Sequence, residues 1–171
     1  MISDTKVVAI GGGTGLSTML KGLKLHTHNI TAVVTVADDG GSSGILRSDL
    51  GMLAPGDVRN CVSALAEVDP VMGELLNFRF KDGSLKGHSL GNLFLAALNE
   101  TSSSFDEAVK KFSHLAGVVG TVYPVTNESV TLSALLEDGR LIEGESHIGV
   151  HHDGPKNGIV TVSYTHLTLP T

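Results

Sequence analysis

Residues 7–15, VVAIGGGTG, constrain the fold of this chain more than any other stretch. A short run rich in β-branched residues (Val7, Val8, Ile10) reads as a strand buried in a parallel sheet, and it ends in three consecutive glycines. Beyond them Leu16, Met19, Leu20 and Leu23 recur at i, i+3, i+4 and i+7, the apolar stripe of a helix. Strand, glycine turn, helix is the implied order. Glycines at such a junction let the backbone approach a ligand, and the free N–H groups opening the helix favour a phosphate. Gly11, Gly12, Gly13, Thr14 and Gly15 are therefore candidate ligand-binding residues; the alternative is a tight turn that binds nothing. The stretch departs from the dinucleotide pattern G-x-G-x-x-G, because the third glycine arrives one residue early, at Gly15.

Residues 30–37, ITAVVTVA, read as a second buried strand, so the two strands and the helix between them form a βαβ unit with parallel strands in one sheet. The second strand runs into Asp38-Asp39-Gly40-Gly41-Ser42-Ser43-Gly44. In an open α/β sheet ligands gather beyond the carboxyl ends of the strands, which puts both glycine-rich loops on one rim. Asp38 and Asp39 there can hold a divalent cation. Alternatively Asp38, about twenty residues past the first loop, accepts a ribose hydroxyl. Gly40, Gly41, Ser42, Ser43 and Gly44 offer N–H and O–H groups to phosphate oxygens, although a solvated surface loop uses the same residue types. The expected fold is α/β: a Rossmann-like open parallel sheet with helices on both faces, plus a β-hairpin region in the C-terminal third.

Residues 45–55 read as irregular, with Arg47 able to form a fork to phosphate. In PGDVRN, residues 55–60, Asp57 is placed to cap a helix that buries Val58, Cys61, Val62, Leu65 and Val68. A cation in a first helical turn opposes the dipole, so Arg59 faces a ligand or a carboxylate, or else forms a surface ion pair. Asn60 stands beside it. Asp69 and Pro70 open a further helix carrying Val71, Leu75 and Phe78. A third glycine-punctuated segment, Gly87-His88-Ser89-Leu90-Gly91-Asn92, precedes a helix with Leu93, Phe94, Ala97 and Leu98. His88 there can donate to phosphate, act as an acid or base, or simply cap the helix; Asn92 can read a hydroxyl or a base edge. Ser104 and Glu107 form a capping box ahead of Phe105, Val109, Phe112 and Leu115, and Gly117 ends that helix. The texture then turns to β. Residues 121–125 read as a strand weakened by Pro124, and residues 130–136 pair around Asp138-Gly139 with a strand from Arg140, at the sheet edge or as a separate layer. His147, His151, His152 and Asp153 have metal-like composition, but their spacing fits no standard site.

Composition excludes several functions. Twelve basic against eighteen acidic residues give a net charge of −6 with no Lys/Arg cluster, which argues against nucleic acid. Aromatics are 4% and tryptophan is absent, so stacking platforms are not expected. No apolar run approaches the ~18 residues of a membrane span, so no membrane insertion is expected. The single cysteine, Cys61, permits no intramolecular disulfide and fits an intracellular setting. The expected partner is a small-molecule nucleotide, with self-association into a homo-oligomer left open.

The ordered motifs GGGTG (residues 11–15), TVADDGGSSG (35–44), PGDVRN (55–60), LLNFRF (75–80), GHSLGNL (87–93) and YPVT (123–126) together resemble the CofD-like superfamily. Within it the chain is most similar to the YvcK, or gluconeogenesis-factor, branch of UPF0052 type. The resemblance runs over residues 6–152 and covers about the first half of a family member. It implies a cytoplasmic, Rossmann-like protein that binds a nucleotide-sugar such as UDP-N-acetylglucosamine and affects cell shape and envelope synthesis during gluconeogenic growth. In that role residues 11–15 and 42–44 cradle the diphosphate, while Asp38, Asn60 and Asn92 read hydroxyls or base. The sister branch is a 2-phospho-L-lactate transferase of deazaflavin cofactor synthesis. There Asp38 and Asp39 would hold Mg²⁺, with Arg59 and His88 neutralising the transferring phosphate. The transferases carry an aromatic, glutamine-containing stretch where this chain has Gly144-Glu145-Ser146, which favours the regulator.

Residues 162–171, VSYTHLTLPT, resemble a translated sequencing adapter and are set aside from fold reasoning. The expected organisation is a nucleotide-binding domain over residues 6–152 that is the N-terminal part of a longer one, a loop and strand start over 153–161, and the adapter-like tail.

Overall fold

The computed structural model describes residues 3–148 and 158–165. Three parallel strands, β1 (Val7–Gly11), β2 (Ile30–Val34) and β3 (Thr121–Pro124), form one sheet with β2 at its centre. Helix α1 (Gly13–Leu23) makes the crossover from β1 to β2. Between β2 and β3 come α2 (Gly41–Leu50), α3 (Gly56–Leu65), α4 (Pro70–Asn77), α5 (Leu90–Glu100) and α6 (Phe105–Leu115). The rest is a second, antiparallel sheet in the order β5-β4-β6, from β4 (Leu132–Leu136), β5 (Leu141–Glu143) and β6 (Ile159–Tyr164), with the short α7 (Glu145–Ile148) after β5. This is the expected α/β architecture, a parallel sheet flanked by helices. The hairpin forms a layer of its own.

Register explains where the core lies. Ala9, Ala32 and Val122 are paired across the sheet, and together with Ile30 and Val34 they are buried with Leu20, Val58, Val62, Leu65 and Phe112 of α1, α3 and α6. The alternate residues of β1 are open: Val8 is 65% and Ile10 76% exposed. The reading of residues 7–10 as a fully buried strand is therefore corrected. Here β1 is an edge strand, with one face against the helices and one face free.

Local signals were read well at caps and less well at stripes. Asp69 Oδ1 accepts from the Val71 amide at 2.9 Å, and Ser104 Oγ from that of Glu107 at 3.2 Å. The Glu107 carboxylate returns to the Ser103 amide, one residue earlier than a capping box requires. Asp57 does not cap α3, inside which it lies and which opens at Gly56; it accepts instead from the Gly13 amide at the start of α1. Residues 45–50 are not irregular but helical. Gly and Ser, poor helix formers, disguise the first turn of α2, which tertiary contacts stabilise instead. Met19, Val71, Leu75, Phe78, Phe94 and Leu115, all expected in buried stripes, are exposed, whereas Leu76, Leu95 and Ala96 are buried. Leu75, Phe94 and Leu115 instead border an open apolar groove of about 340 Å³ between α4, α5 and α6. Residues 162–164, set aside with the tail, complete β6 against β4. His151, His152 and Asp153 lie outside the described residues, as do residues 166–171.

These placements separate two residues of the same helix. Phe112→Ala should cost about 3–5 kcal/mol in urea unfolding, because a fully enclosed ring is deleted, whereas Leu115→Ala should stay within about 1 kcal/mol. Equal costs would refute the assigned faces of α6.

Candidate functional site

The first turns of α2, α3 and α5 meet around a polar cavity of about 250 Å³. Gly40, Gly41, Ser42 and Ser43 contribute from α2, Gly56, Asp57, Arg59 and Asn60 from α3, and Asn92 from α5, with Asp38 and Arg79 completing the wall. Three helix starts can approach this closely only where no side chain intervenes. A Cβ on Gly56 would strike Ser43 Oγ and stand 3.0 Å from Asp38 Oδ2; one on Gly91 would lie 2.5 Å from the Leu76 carbonyl and 2.9 Å from Arg59 Cδ. A Cβ on Gly12 would overlap Thr35 and lie 2.7 Å from Asp57 Oδ2. These glycines serve packing between the loops. Gly41, with φ +46°, turns the chain into α2 in a conformation that favours glycine.

One polar chain links the three starts. Arg59 Nε donates to Asn92 Oδ1 at 3.2 Å, and Nη1 donates to Asn77 Oδ1 at 3.0 Å. The other end of the Asn92 amide, Nδ2, donates to Ser42 Oγ at 3.1 Å, and Ser42 Oγ lies 3.0 Å from His88 Nδ1. Ser42 Oγ thus accepts from Asn92 and shares a second hydrogen bond with His88, whose direction follows the imidazole tautomer. Arg59, Ser42, His88 and Asn92 are each less than 9% exposed.

The Arg59 guanidinium is the notable charge. Among the described residues no carboxylate lies within 4 Å of it, and the hydrogen-bond partners of its Nε and Nη1 are neutral amides. Burial lowers its pKa first and the nearby Arg79 guanidinium lowers it further, against a smaller opposing effect of Asp57. Arg79 donates to the Gly87 carbonyl. A buried cation with no carboxylate in direct contact is costly, and an anion in the cavity would offset that cost.

Two carboxylates, Asp38 and Asp57, line the same cavity. Burial raises the pKa of Asp57, and Asp38 adds to this, while a hydrogen bond from the Gly13 amide and the charge of Arg59 act against it. Asp38 Oδ1 accepts from the Gly40 amide at 3.0 Å; Asp39 Oδ1 accepts from the Ser146 amide at 2.8 Å, with Gly144 packed on Oδ2. The two aspartates thus turn toward different neighbours. Among the described residues no group of three or more His, Cys, Asp and Glu is disposed to hold a metal ion.

Half of the candidates from the sequence line this cavity, with His88 behind Ser42 and Gly91 beneath Arg59. The first loop is less central. Gly11 and Gly12 line a separate cavity of about 210 Å³ with Ile10, Val33, Thr35, Val125 and Tyr164, while a Cβ on Gly13 or Gly15 would meet nothing within 4 Å. The Thr14 carbonyl accepts from Ser17 Oγ, and Gly44 packs on the Asp39 carbonyl. Arg47 does not face phosphate: its fork donates to the Ala37 carbonyl at 3.1 Å and the Val130 carbonyl at 2.9 Å, tying the second loop to the antiparallel region. Cys61 is a core residue whose thiol burial pushes up to about 12. Sequence reasoning missed Asn77 and Arg79, although the LLNFRF motif contained them, and Glu145. The Glu145 carboxyl is raised by burial and then by Asp38, Asp57 and Asp39.

Comparison with known proteins bears on the family and the fold. The family model described as 2-phospho-L-lactate transferase CofD matches residues 7–168. A protein of Thermoanaerobacterium thermosulfurigenes, provisionally named a gluconeogenesis factor, is 63% identical over 147 residues, covering 86% of this chain and 46% of its own. The gluconeogenesis factor of Bacillus subtilis is 51% identical over 144 residues, covering 84% and 45%. A crystal structure of a Bacillus halodurans protein superposes with a TM-score of 0.89 at 44% identity, over 96% of this chain and 52% of that one. A second, described as a member of the UPF0052 family, gives 0.88. The chain spans about half the length of these relatives.

Asp57 provides a pH test. A carboxyl raised in the folded state binds its proton more tightly there than in the unfolded chain, so stability is lost as pH rises from the unfolded value near 4 through the folded one. Asp57→Asn keeps the acceptor without the charge. Its stability relative to the parent should therefore rise between about pH 4 and 7 in urea unfolding; a flat or falling difference would contradict the raised value.

Proposed function

The chain belongs to the family described as 2-phospho-L-lactate transferase CofD, and we propose that it is the nucleotide-sugar-binding part of a gluconeogenesis factor, a cytoplasmic regulator of cell shape and envelope synthesis during gluconeogenic growth. The ligand class is a nucleoside diphosphate sugar of the UDP-N-acetylglucosamine type. One observation carries the reading: a buried guanidinium with amide partners, at a cavity opened by three helix starts.

In this reading the diphosphate supplies the direct ionic contact that Arg59 lacks. The amides opening α2 and α3 donate to its oxygens, and Arg79 adds a second positive charge at the rim. Asn92 is committed at both ends, so it positions Arg59 and Ser42 instead of reading the ligand. Asn60 and Asp38, which line the same cavity, are left to meet hydroxyl groups. The gathered carboxylates of Asp38, Asp39, Asp57 and Glu145 repel further phosphate and favour the neutral, hydroxyl-rich part of a sugar nucleotide. No described helix is long and apolar enough to cross a membrane.

The transferase reading has the family's own description in its favour. Asp38 and Asp39 face different neighbours, however, so the described residues do not form a ready Mg²⁺ site. The names of the relatives and the sequence Gly144-Glu145-Ser146 favour the regulator.

UDP-N-acetylglucosamine at about a hundred times its Kd should raise the melting temperature by roughly 5–10 °C, and Arg59→Met should abolish that rise while leaving a folded protein. No shift with any uridine diphosphate sugar would end this reading; Mg²⁺-dependent phospholactyl transfer to a deazaflavin would replace it with the other.

A further inference from the structure

The Asn92 amide has one possible orientation. Arg59 Nε has a proton to give and no lone pair, so the Asn92 atom facing it at 3.2 Å is Oδ1, and Nδ2 is the group that donates to Ser42 Oγ at 3.1 Å. One lone pair of Ser42 is thereby used. His88 Nδ1, 3.0 Å from the same oxygen, decides what becomes of the rest. Where Nδ1 accepts, the hydroxyl proton goes to the imidazole, and Ser42 keeps only a lone pair for the cavity it lines. Where Nδ1 carries a proton, both lone pairs are taken and the hydroxyl proton turns to the remaining direction. A phosphate oxygen, itself an acceptor, is served by the second arrangement alone.

The imidazole is free to change between the two. Among the described residues the contact with Ser42 is the one side-chain hydrogen bond of His88, so no partner at Nε2 holds either form. We propose that His88 sets the specificity of the Arg59 cavity through Ser42: an anion is bound together with a proton taken from solvent onto His88, which turns the Ser42 hydroxyl from acceptor to donor toward a phosphate oxygen. His88 is thus a positioning residue that does not touch the ligand. This rests on the ligand reading above and adds a proton linkage to it. The charged groups around the pair are Asp38, Asp57 and Arg59 on the cavity wall, Arg79 on the segment paired with Ser89, and Glu145 of α7, near Asp38 and Asp57. Lys81, Asp82 and Lys86 of the preceding turn are exposed. Arg59 and Arg79 oppose an imidazolium and the carboxylates favour it; an anion seated on Arg59 offsets the opposition.

Calorimetric titration of this chain with UDP-N-acetylglucosamine tests the linkage, because a diphosphate esterified at both ends takes up no proton near neutral pH. A group that holds its proton more tightly in the bound state strengthens binding at low pH, and the gain is lost as pH rises. Affinity should therefore be at least about fivefold higher at about pH 6 than at about pH 8. His88→Asn, which keeps a hydrogen-bonding group near the Nδ1 position, should bring that ratio below about twofold. Asp57→Asn should retain it, a needed control because Asp57 also holds a proton more readily than an ordinary carboxyl. Should His88→Asn fail to fold, the His88 ring resonances of the parent decide alone: at about pH 7 they should move toward those of an imidazolium when the ligand binds. Equal affinity at the two pH values, a ratio kept in His88→Asn or lost in Asp57→Asn, or ring resonances unmoved by bound ligand would each overturn the proposal and leave the ligand reading standing. No binding at either pH ends both.

Discussion

The site depends on how one buried positive charge is held. Arg59 stands in the first turn of α3, where the helix dipole opposes a cation, and it is buried there with Asn92 and Asn77 as hydrogen-bond partners. Two side-chain amides orient the guanidinium but do not neutralise it. Everything around it follows from that need. Asn92 must come from the start of α5, Asn77 from the end of α4, and both helices must close on α3. The same Asn92 amide then fixes Ser42 and, through it, His88, so the charge organises three loops that lie far apart in sequence.

Such closeness is possible because glycine stands at the points of contact. Gly56 and Gly91 have no room for a Cβ, and what fills that space is Ser43 and Asp38 in one case and the Leu76 carbonyl and Arg59 stem in the other. The glycines of this chain thus serve two purposes. Some turn the backbone, as Gly41 does, and others let polar loops touch. A cavity made this way is held by helix packing, not by a flexible loop, so its donors are in place before any ligand arrives.

Much of this was legible in the sequence, for reasons that can be named. Strand followed by glycines followed by helix is a local pattern, and β1, α1 and β2 came from it. Caps are also local, and Asp69 and Ser104 cap where expected. The second and third glycine-rich segments do meet, at the start of α3, whereas Gly11 and Gly12 of the first line a separate cavity. What failed was nonlocal. Ile10 looked buried because apolar runs usually are, and only the strand order reveals an open face. Arg47 looked free for phosphate because its carbonyl partner at Val130 lies 83 residues away. Glu145 follows a hairpin whose return to the site no periodicity encodes. Helix α2 was missed because its first turn is written in Gly and Ser.

The central claim is that Arg59 awaits an anion. Titrating the protein with UDP-N-acetylglucosamine while observing the Arg59 Nε–H resonance tests it most directly. The account predicts a saturable shift of that resonance at one ligand per chain, and no such shift with N-acetylglucosamine, which lacks the diphosphate. An Arg59 resonance unmoved at saturating nucleotide sugar would contradict it.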